Sequence, residues 1–328
     1  MQTPATARRQ AQPTGVIETL SAGYAAVNRQ LWVLLLPILV DLLLWLGPHV
    51  SLSPLVDPAV SRATEVTRQV AVGPRRGARN LELASTLDQS RLWLIGHADD
   101  VNALGLLVAG PVALPNAGIV PASGDMTFVT RWPQAAAIVI GGVVGSLLLG
   151  AWFYRGLALA STGVGGGPLR AGRATPRLVL RVVALVAALL GTALLLGLPV
   201  LLLVGFTALV SPPIAILGIV LFASGVAFAA LHLFFSVNAI FVSNVGPLAA
   251  IQRSVAVVRR HLWASVALIV LTWLILLGMG RVWDALASML QPPYGVALGI
   301  FGNAYIASGL IAAGMIFYLE RGEQPEHA

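Results

Sequence analysis

The stretch from Val182 to Gln252 constrains the fold of this chain more than any other, because it contains no Asp, Glu, Lys or Arg. About 20 apolar residues cross the ~30 Å hydrocarbon core of a membrane once, so a run of this length predicts two crossings. Ser211-Pro212-Pro213 predicts the turn between them, because paired prolines lack N–H donors and resist helix continuation. Arg181 and Arg253 flank the stretch. The pattern therefore predicts a hairpin of two membrane helices whose ends lie on one side.

The composition supports the same class of protein. The sequence is 57% hydrophobic and only 10% charged, whereas a soluble domain carries about 25% charged residues. The net charge of +7 comes entirely from arginine, and these arginines flank the apolar segments. That distribution indicates contact with anionic lipid headgroups rather than with nucleic acid. Because the chain has no cysteine, a disulfide framework, a thiolate nucleophile and a cysteine metal site are excluded.

The hydropathy pattern predicts an all-α, polytopic membrane helix bundle with six transmembrane helices and both termini in the cytoplasm. The segment 155–181 contains five arginines and the segment 253–260 three, with no acidic residue in either, which is typical of cytoplasmic loops. Residues 1–23 are predicted as a disordered cytoplasmic tail, 47–133 as a long extracytoplasmic loop and 320–328 as a C-terminal tail. The predicted spans are residues 24–46, 135–154, 182–210, 213–241, 262–280 and 294–318.

Local features refine the predicted spans. The run Leu31–Leu46 is short for a crossing, so the first helix is predicted to begin near Tyr24, with Arg29 reaching back to the interface. Pro199 predicts a kink in the third span. A GxxxG spacing that begins at Gly141 in the second span predicts close approach of another backbone. The apolar segment Val101–Pro115 is too short to cross, so we predict an interfacial or re-entrant piece.

Asp41 is the one acidic residue in a predicted span. Because an ionised carboxylate is costly in hydrocarbon, it should face the bundle interior, a partner or water. Asn303 and Thr207 lie at a similar predicted depth in the membrane and could donate hydrogen bonds to the Asp41 carboxylate. Two roles are open: a carboxylate that supports packing, or a site that couples ion or substrate movement. His232 is the other titratable side chain in a span, and we predict a hydrogen-bonded core histidine.

The segment after the fourth span predicts an amphipathic helix that lies in the plane of the membrane surface. Three- and four-residue spacings place its apolar residues on one side, while Arg253, Arg259 and Arg260 can reach outward. The helix could be a topological anchor only, or it could bind anionic lipid headgroups or a partner. The apolar positions are Leu248, Ile251, Val255, Val258 and Leu262.

The same segment carries a family resemblance. The sequence from Gly246 to Trp263, GPLAAIQRSVAVVRRHLW, resembles the recurring signature of bacterial multi-helix membrane proteins of the YciC type and of the membrane domain found with glycerophosphodiester phosphodiesterases. The resemblance implies a six-helix membrane layout, but no activity, because no phosphodiesterase domain is present. The tripeptide Gly-Pro-Leu also occurs at 167–169, which leaves open a duplication of two spans.

Motifs for catalysis are weak. His97, Asp99 and Asp100 have the ligand types of a divalent cation site, but their spacing matches no defined site. The run Gly163–Gly167 lacks the lysine of a phosphate-binding loop and predicts a flexible turn. We therefore expect no enzyme activity, no cofactor and no bound metal. An intramembrane enzyme that uses the outer loop is the third hypothesis, and a divalent metal bound there would favour it.

These observations predict a multi-pass protein of the bacterial cytoplasmic membrane. We expect it to scaffold or regulate a membrane or envelope complex through its arginine-rich amphipathic helix. The expected partners are membrane lipids with anionic headgroups, and a membrane protein or a second copy of the chain is possible as well. The alternative is a small transporter or permease subunit with Asp41 in its pathway. Corresponding broken helices in two halves would favour transport, and Pro37 and Pro199 form no symmetric pair.

Overall fold

A computed structural model describes residues 14–71, 85–86, 88–93, 95–96, 101–110, 112–118, 126–290 and 292–322. We number the longer helices and the strands in chain order. They are α1 (Val16–Arg29), α2 (Leu35–Leu46), β1 (His49–Ser51), α3 (Ser53–Ala71), β2 (Met126–Phe128), α4 (Trp132–Ser161), α5 (Pro168–Thr192), α6 (Leu198–Val210), α7 (Pro212–Leu233), α8 (Ser236–Ser243), α9 (Pro247–Arg260), α10 (Leu262–Met289) and α11 (Tyr294–Gly322).

Several of these helices are long and apolar enough to cross a membrane, which confirms the predicted all-α membrane fold. Among the described residues, five segments are long and hydrophobic enough to cross a membrane. A sixth crossing is added if α1 and the bent helix Leu31–Leu46 that follows it are counted together as one span. Many of their large apolar side chains are exposed, as lipid-facing residues are. The five segments are Trp132–Ser161, Pro168–Ala208, Pro212–Ser243, Leu262–Met289 and Tyr294–Gly322.

The start of the chain differs from the prediction. Helix α1 begins at Val16, inside the segment predicted as a tail, and the chain bends by 91° between α1 and the helix Leu31–Leu46. One continuous helix from about Tyr24 is therefore wrong. The physical reason is that α1 buries an apolar side of its own, which includes Leu20, Ala26 and Val27. Hydropathy alone could not separate this helix from the adjoining span.

The arginine-rich segment 155–181 is helical rather than a loop. Helix α4 continues to Ser161 and α5 begins at Pro168, so the connection is short and turns at Gly163, which has φ +69. Helix α5 is amphipathic and buries one side against its neighbours, which stabilises it beyond the membrane-spanning part. Further along, a π-helical turn over Ala193–Gly197 precedes Pro199, the residue at which the sequence predicts a kink.

The chain divides into two compact units. The first contains the described parts of residues 1–34, 151–285 and 305–328. Its core includes a cluster of Ala26, Ala160 and Ile316. The rings of Phe235 and Phe317 stack with their centroids 5.2 Å apart. Helix α9 packs in this unit against α5, α7 and α8, so it is part of the folded protein and not a free surface helix.

The second unit contains the described parts of residues 35–150 and 286–304. Strands β1 and β2 pair in parallel, with His49 opposite Met126. Their link is long, because it holds α3 and a 3-10 turn at Ala103–Leu107. The Asn102 side chain accepts a hydrogen bond of 3.1 Å from the Val50 N–H, which joins the start of this turn to β1. The apolar cluster beneath the strands is Val50, Leu55, Ala103, Val129 and Ala135.

Candidate membrane-binding helix and buried carboxylate

Helix α9 is fixed by its ends and by one buried side. Gly246 is its N-cap with an extended backbone (φ −73, ψ 167), and Pro247 occupies the first turn, where a proline removes no hydrogen bond. His261 follows its last residue and donates its backbone N–H to the Val257 carbonyl oxygen. The side that faces the protein is small and partly polar. It consists of Ala250, Ser254, Val257 and Val258.

The apolar side predicted for α9 is not the side buried by the protein. Of the predicted positions, Val258 is buried, whereas Leu248 is 69% exposed. Successive residues turn by about 100° along a helix, so the predicted apolar side lies beside the buried side. Trp263, just beyond the helix, is 82% exposed. An exposed apolar strip next to a membrane span is typical of a helix at the membrane interface.

The three predicted arginines of α9 all reach the surface. Arg253, Arg259 and Arg260 are exposed. Arg259 and Arg260 lie in the last turn of the helix, where positive charge is favourable for the helix dipole. With the exposed apolar strip, the exposed part of α9 thus offers both a hydrophobic and a cationic surface.

His261 stands where α9 meets α10. Burial lowers the pKa of His261 below its usual value, and the positive charges of Arg321 and Arg260 lower the pKa further. All three groups belong to the first unit. The imidazole is therefore held towards its neutral form at neutral pH.

Asp41 is buried in α2, with 2% of its surface exposed. The Asn116 amide Nδ2 donates a 2.7 Å hydrogen bond to Oδ1 of Asp41, and the Ala117 N–H donates one of 3.1 Å to Oδ2. Asn116 also accepts a hydrogen bond from the Gly118 N–H. The carboxylate thus holds a turn of the segment 112–118 against α2.

The predicted partners of Asp41 differ from those in the structure. Among the described residues, the hydrogen bonds to its carboxylate come from Asn116 and Ala117 and not from Asn303. Thr207 donates its hydroxyl to the Val204 carbonyl oxygen of its own helix. Asn116 was missed because it lies outside the predicted spans. The sequence Pro-Asn-Ala-Gly that contains it is a turn signature, and this signal could have placed a turn there.

The segment before this turn packs along the glycines of α4. A Cβ atom added at Gly142 would lie 2.8 Å from the Leu106 Cβ, and one at Gly145 would lie 2.8 Å from a methyl group of Leu107. At Gly150 an added Cβ would clash with the Val112 carbonyl oxygen. Gly142 and Gly145 therefore accept leucine side chains of the segment 103–110, nothing lies within 4 Å of a Cβ added at Gly141, and the close backbone approach occurs at Gly150 instead. This segment thus lies beside a span-length helix.

The other candidates have different outcomes. The His232 imidazole Nδ1 forms a 2.9 Å hydrogen bond with the Phe228 carbonyl oxygen, but the side chain is partly exposed and not in the core. His97, Asp99 and Asp100 lie outside the described residues. Over the part of the chain that the structure describes, no three His, Asp or Glu side chains form a metal-ligand group.

Comparison with protein-family profiles, with curated proteins and with solved structures gave no match for this chain. The resemblance of the α9 segment to the YciC-type group therefore stays a prediction.

Proposed function

We propose that this protein is a non-catalytic, multi-pass protein of a bacterial cytoplasmic membrane, where it scaffolds or regulates a membrane complex. Helix α9 would bind the anionic headgroups of the cytoplasmic leaflet. The observation that carries the proposal is the exposure of Arg253, Arg259 and Arg260 on a helix whose buried side is fixed to the protein. A helix held in this way presents its arginines at a constant depth.

The orientation follows from charge. Between Asp125 and Asp284 the sequence has no acidic residue, and the arginines of this region cluster in 155–181 and 253–260. Positive charge is retained on the cytoplasmic side of a bacterial membrane. Each arginine near an anionic surface contributes about 1 kcal/mol to its attraction, so three would hold α9 firmly at the headgroups.

Single cysteines test the orientation cleanly, because the natural chain has none. We expect Arg62→Cys to react with a membrane-impermeant maleimide in intact spheroplasts, and Gly165→Cys to react only after the membrane is opened. Both positions are exposed. The reverse pattern would refute the cytoplasmic placement of α9.

Headgroup binding is tested by quenching of Trp263, which adjoins α9. The fluorescence of Trp263 is isolated as the difference between the wild type and Trp263→Phe, in bilayers that contain brominated phosphatidylglycerol or brominated phosphatidylcholine. We expect stronger quenching by phosphatidylglycerol, and loss of this preference when Arg253, Arg259 and Arg260 become Gln. Replacing the exposed Arg62, Arg131 and Arg281 by Gln removes the same charge elsewhere and should leave the preference intact.

A transporter with Asp41 in its pathway is the second candidate. One observation favours it: the non-helical segment 112–118 meets the buried Asp41 beside a span-length helix. Irregular backbone at membrane depth is tolerated where it is buried in protein or lines a water-filled cavity. Ion flux in proteoliposomes that is lost in Asp41→Asn, with the fold intact, would favour transport. Absence of flux in the wild type would leave the scaffold proposal in place.

A further inference from the structure

The first half of α5 carries a row of four arginines that the predicted headgroup helix does not include. Arg170, Arg173, Arg177 and Arg181 follow one another at spacings of three, four and four residues, which places them on one side of the helix. We call this row the arginine ladder. The opposite side of the same stretch is buried, at Ala171, Thr175, Leu178 and Val182.

The two ends of the arginine ladder are held in place. Arg170 donates from Nη1 to the Gly165 carbonyl oxygen at 2.9 Å. Arg181 donates from Nη1 to the backbone and side-chain oxygens of Asn244. The middle arginines, Arg173 and Arg177, are exposed. Neither forms an ion pair within the described part of the chain, and the surrounding sequence from 126 to 283 contains no acidic residue.

The length of the arginine ladder decides what kind of ligand fits it. Helix α5 is continuous with the following helix as far as Ala208, over 41 residues, or about 60 Å at 1.5 Å per residue. The charge-free part begins at Val182, so the ladder precedes the membrane-spanning part. From Arg170 to Arg181 it extends about 17 Å along the helix. The headgroup layer is only about 5–8 Å thick on each side, so Arg170 and Arg173 would extend beyond it into water.

We propose that the arginine ladder docks an acidic helical segment of a cytoplasmic partner protein, whose carboxylates recur at three- and four-residue spacings. Arginine binds carboxylates through two parallel N–H···O bonds, so register and geometry both contribute. This proposal rests on the cytoplasmic orientation proposed above, but not on lipid binding by α9. The arginine ladder would then be the surface through which the scaffold contacts its cytoplasmic partner.

The test uses the full-length protein in nanodiscs of phosphatidylcholine, which carries no net charge. Two fluorescent, alanine-rich helical peptides of identical composition serve as probes. One has Glu at positions i, i+3, i+7 and i+11, and the other has the same four Glu distributed around the helix. We expect the aligned peptide to bind about tenfold more tightly by anisotropy, since exposed ion pairs contribute additively but weakly.

Three variants decide the assignment. Arg173→Gln with Arg177→Gln should remove the preference for the aligned peptide, while Arg173→Lys with Arg177→Lys should keep part of it. Gln in place of Arg253, Arg259 and Arg260 should leave the preference unchanged. Equal binding of both peptides, or an equal loss in the α9 variant, would refute docking on the ladder. Loss of the preferential quenching of Trp263 by brominated phosphatidylglycerol in the Arg173→Gln/Arg177→Gln variant would also refute it. Tighter binding of single-stranded RNA than of the aligned peptide would refute it as well.

These outcomes separate the two proposals. Equal binding of the two peptides by the wild type, with lipid preference at Trp263 intact, would refute the arginine ladder alone. Intact peptide preference with no lipid preference would refute headgroup binding by α9 alone. The Arg173→Gln and Arg177→Gln changes are at exposed positions, so thermal unfolding should stay close to that of the wild type and serves as the folding control.

Discussion

The Ser254 hydroxyl donates a hydrogen bond of 2.6 Å to the carbonyl oxygen of His232, near the end of α7. The Ser254 hydroxyl oxygen in turn accepts a 3.1 Å hydrogen bond from the Phe235 N–H. Helix α7 ends at Leu233 and α8 begins at Ser236, so these backbone groups lie at a break in the helical hydrogen-bond ladder. The buried Ser254 side chain of α9 thus supplies hydrogen-bond partners for backbone groups at the break between α7 and α8.

Ser254→Ala should destabilise the protein by about 1–3 kcal/mol, because a buried N–H and a carbonyl oxygen would each lose a partner. The measurement is unfolding in detergent, followed by circular dichroism. Ser224→Ala is the matched control, because the Ser224 hydroxyl donates only within its own helix, to the Val220 carbonyl oxygen, at an exposed position. Equal stability of both variants would contradict a structural role for Ser254.

Asp41→Asn should destabilise the protein by about 1–3 kcal/mol, a typical cost of leaving a buried polar group without a partner. The carboxylate accepts from both Asn116 and Ala117, whereas an amide offers one oxygen and turns its NH₂ towards one of the two donors. Thermal unfolding measures the loss. Asn116→Ala should reproduce part of it, and adding it to Asp41→Asn should cost little more, because the two residues share one interaction.

Gly150→Ala should displace Val112, because the new methyl group would meet the Val112 backbone. Overpacking of this kind costs about 1–3 kcal/mol. A cysteine at position 112 in the otherwise cysteine-free chain should react faster with N-ethylmaleimide in this background. Gly141→Ala on the same helix is the control, because nothing lies within 4 Å of the added Cβ. Unchanged labelling with Gly150→Ala would contradict the packing of Val112 on α4.

The contribution of His261 to the stability of the protein should fall as the pH decreases through the ordinary histidine pKa of about 6.5. The pKa of His261 is lowered in the folded protein by burial and by Arg321 and Arg260, so the unfolded chain takes up its proton first. The stabilisation by neutral His261 is complete above the ordinary pKa of about 6.5 and is lost below it. His261→Gln should flatten this part of the profile. Arg260→Gln should flatten the profile in part, because it removes one of the charges that lower the pKa of His261. A pH profile of stability that neither substitution changes would refute the assignment to His261.

The sequence alone determined the class of this protein. A charge-free stretch from Val182 to Gln252 has to cross a membrane, because hydrocarbon is the environment that such a run favours. The same composition predicted that Asp41 needs polar partners and that α9 exposes its arginines. These conclusions depend on transfer free energies of residues, which are properties of the sequence.

Tertiary structure decided which groups meet. Asp41 is satisfied by Asn116 and Ala117, residues far along the chain that no periodicity links to it. The bend of 91° after α1, the helical continuation of α5 through its arginines and the packing of Leu106, Leu107 and Val112 on α4 were likewise decided by contacts. Hydropathy assigns a residue to lipid, protein or water, but not to a partner, because pairing depends on where the folded backbone places each donor and acceptor.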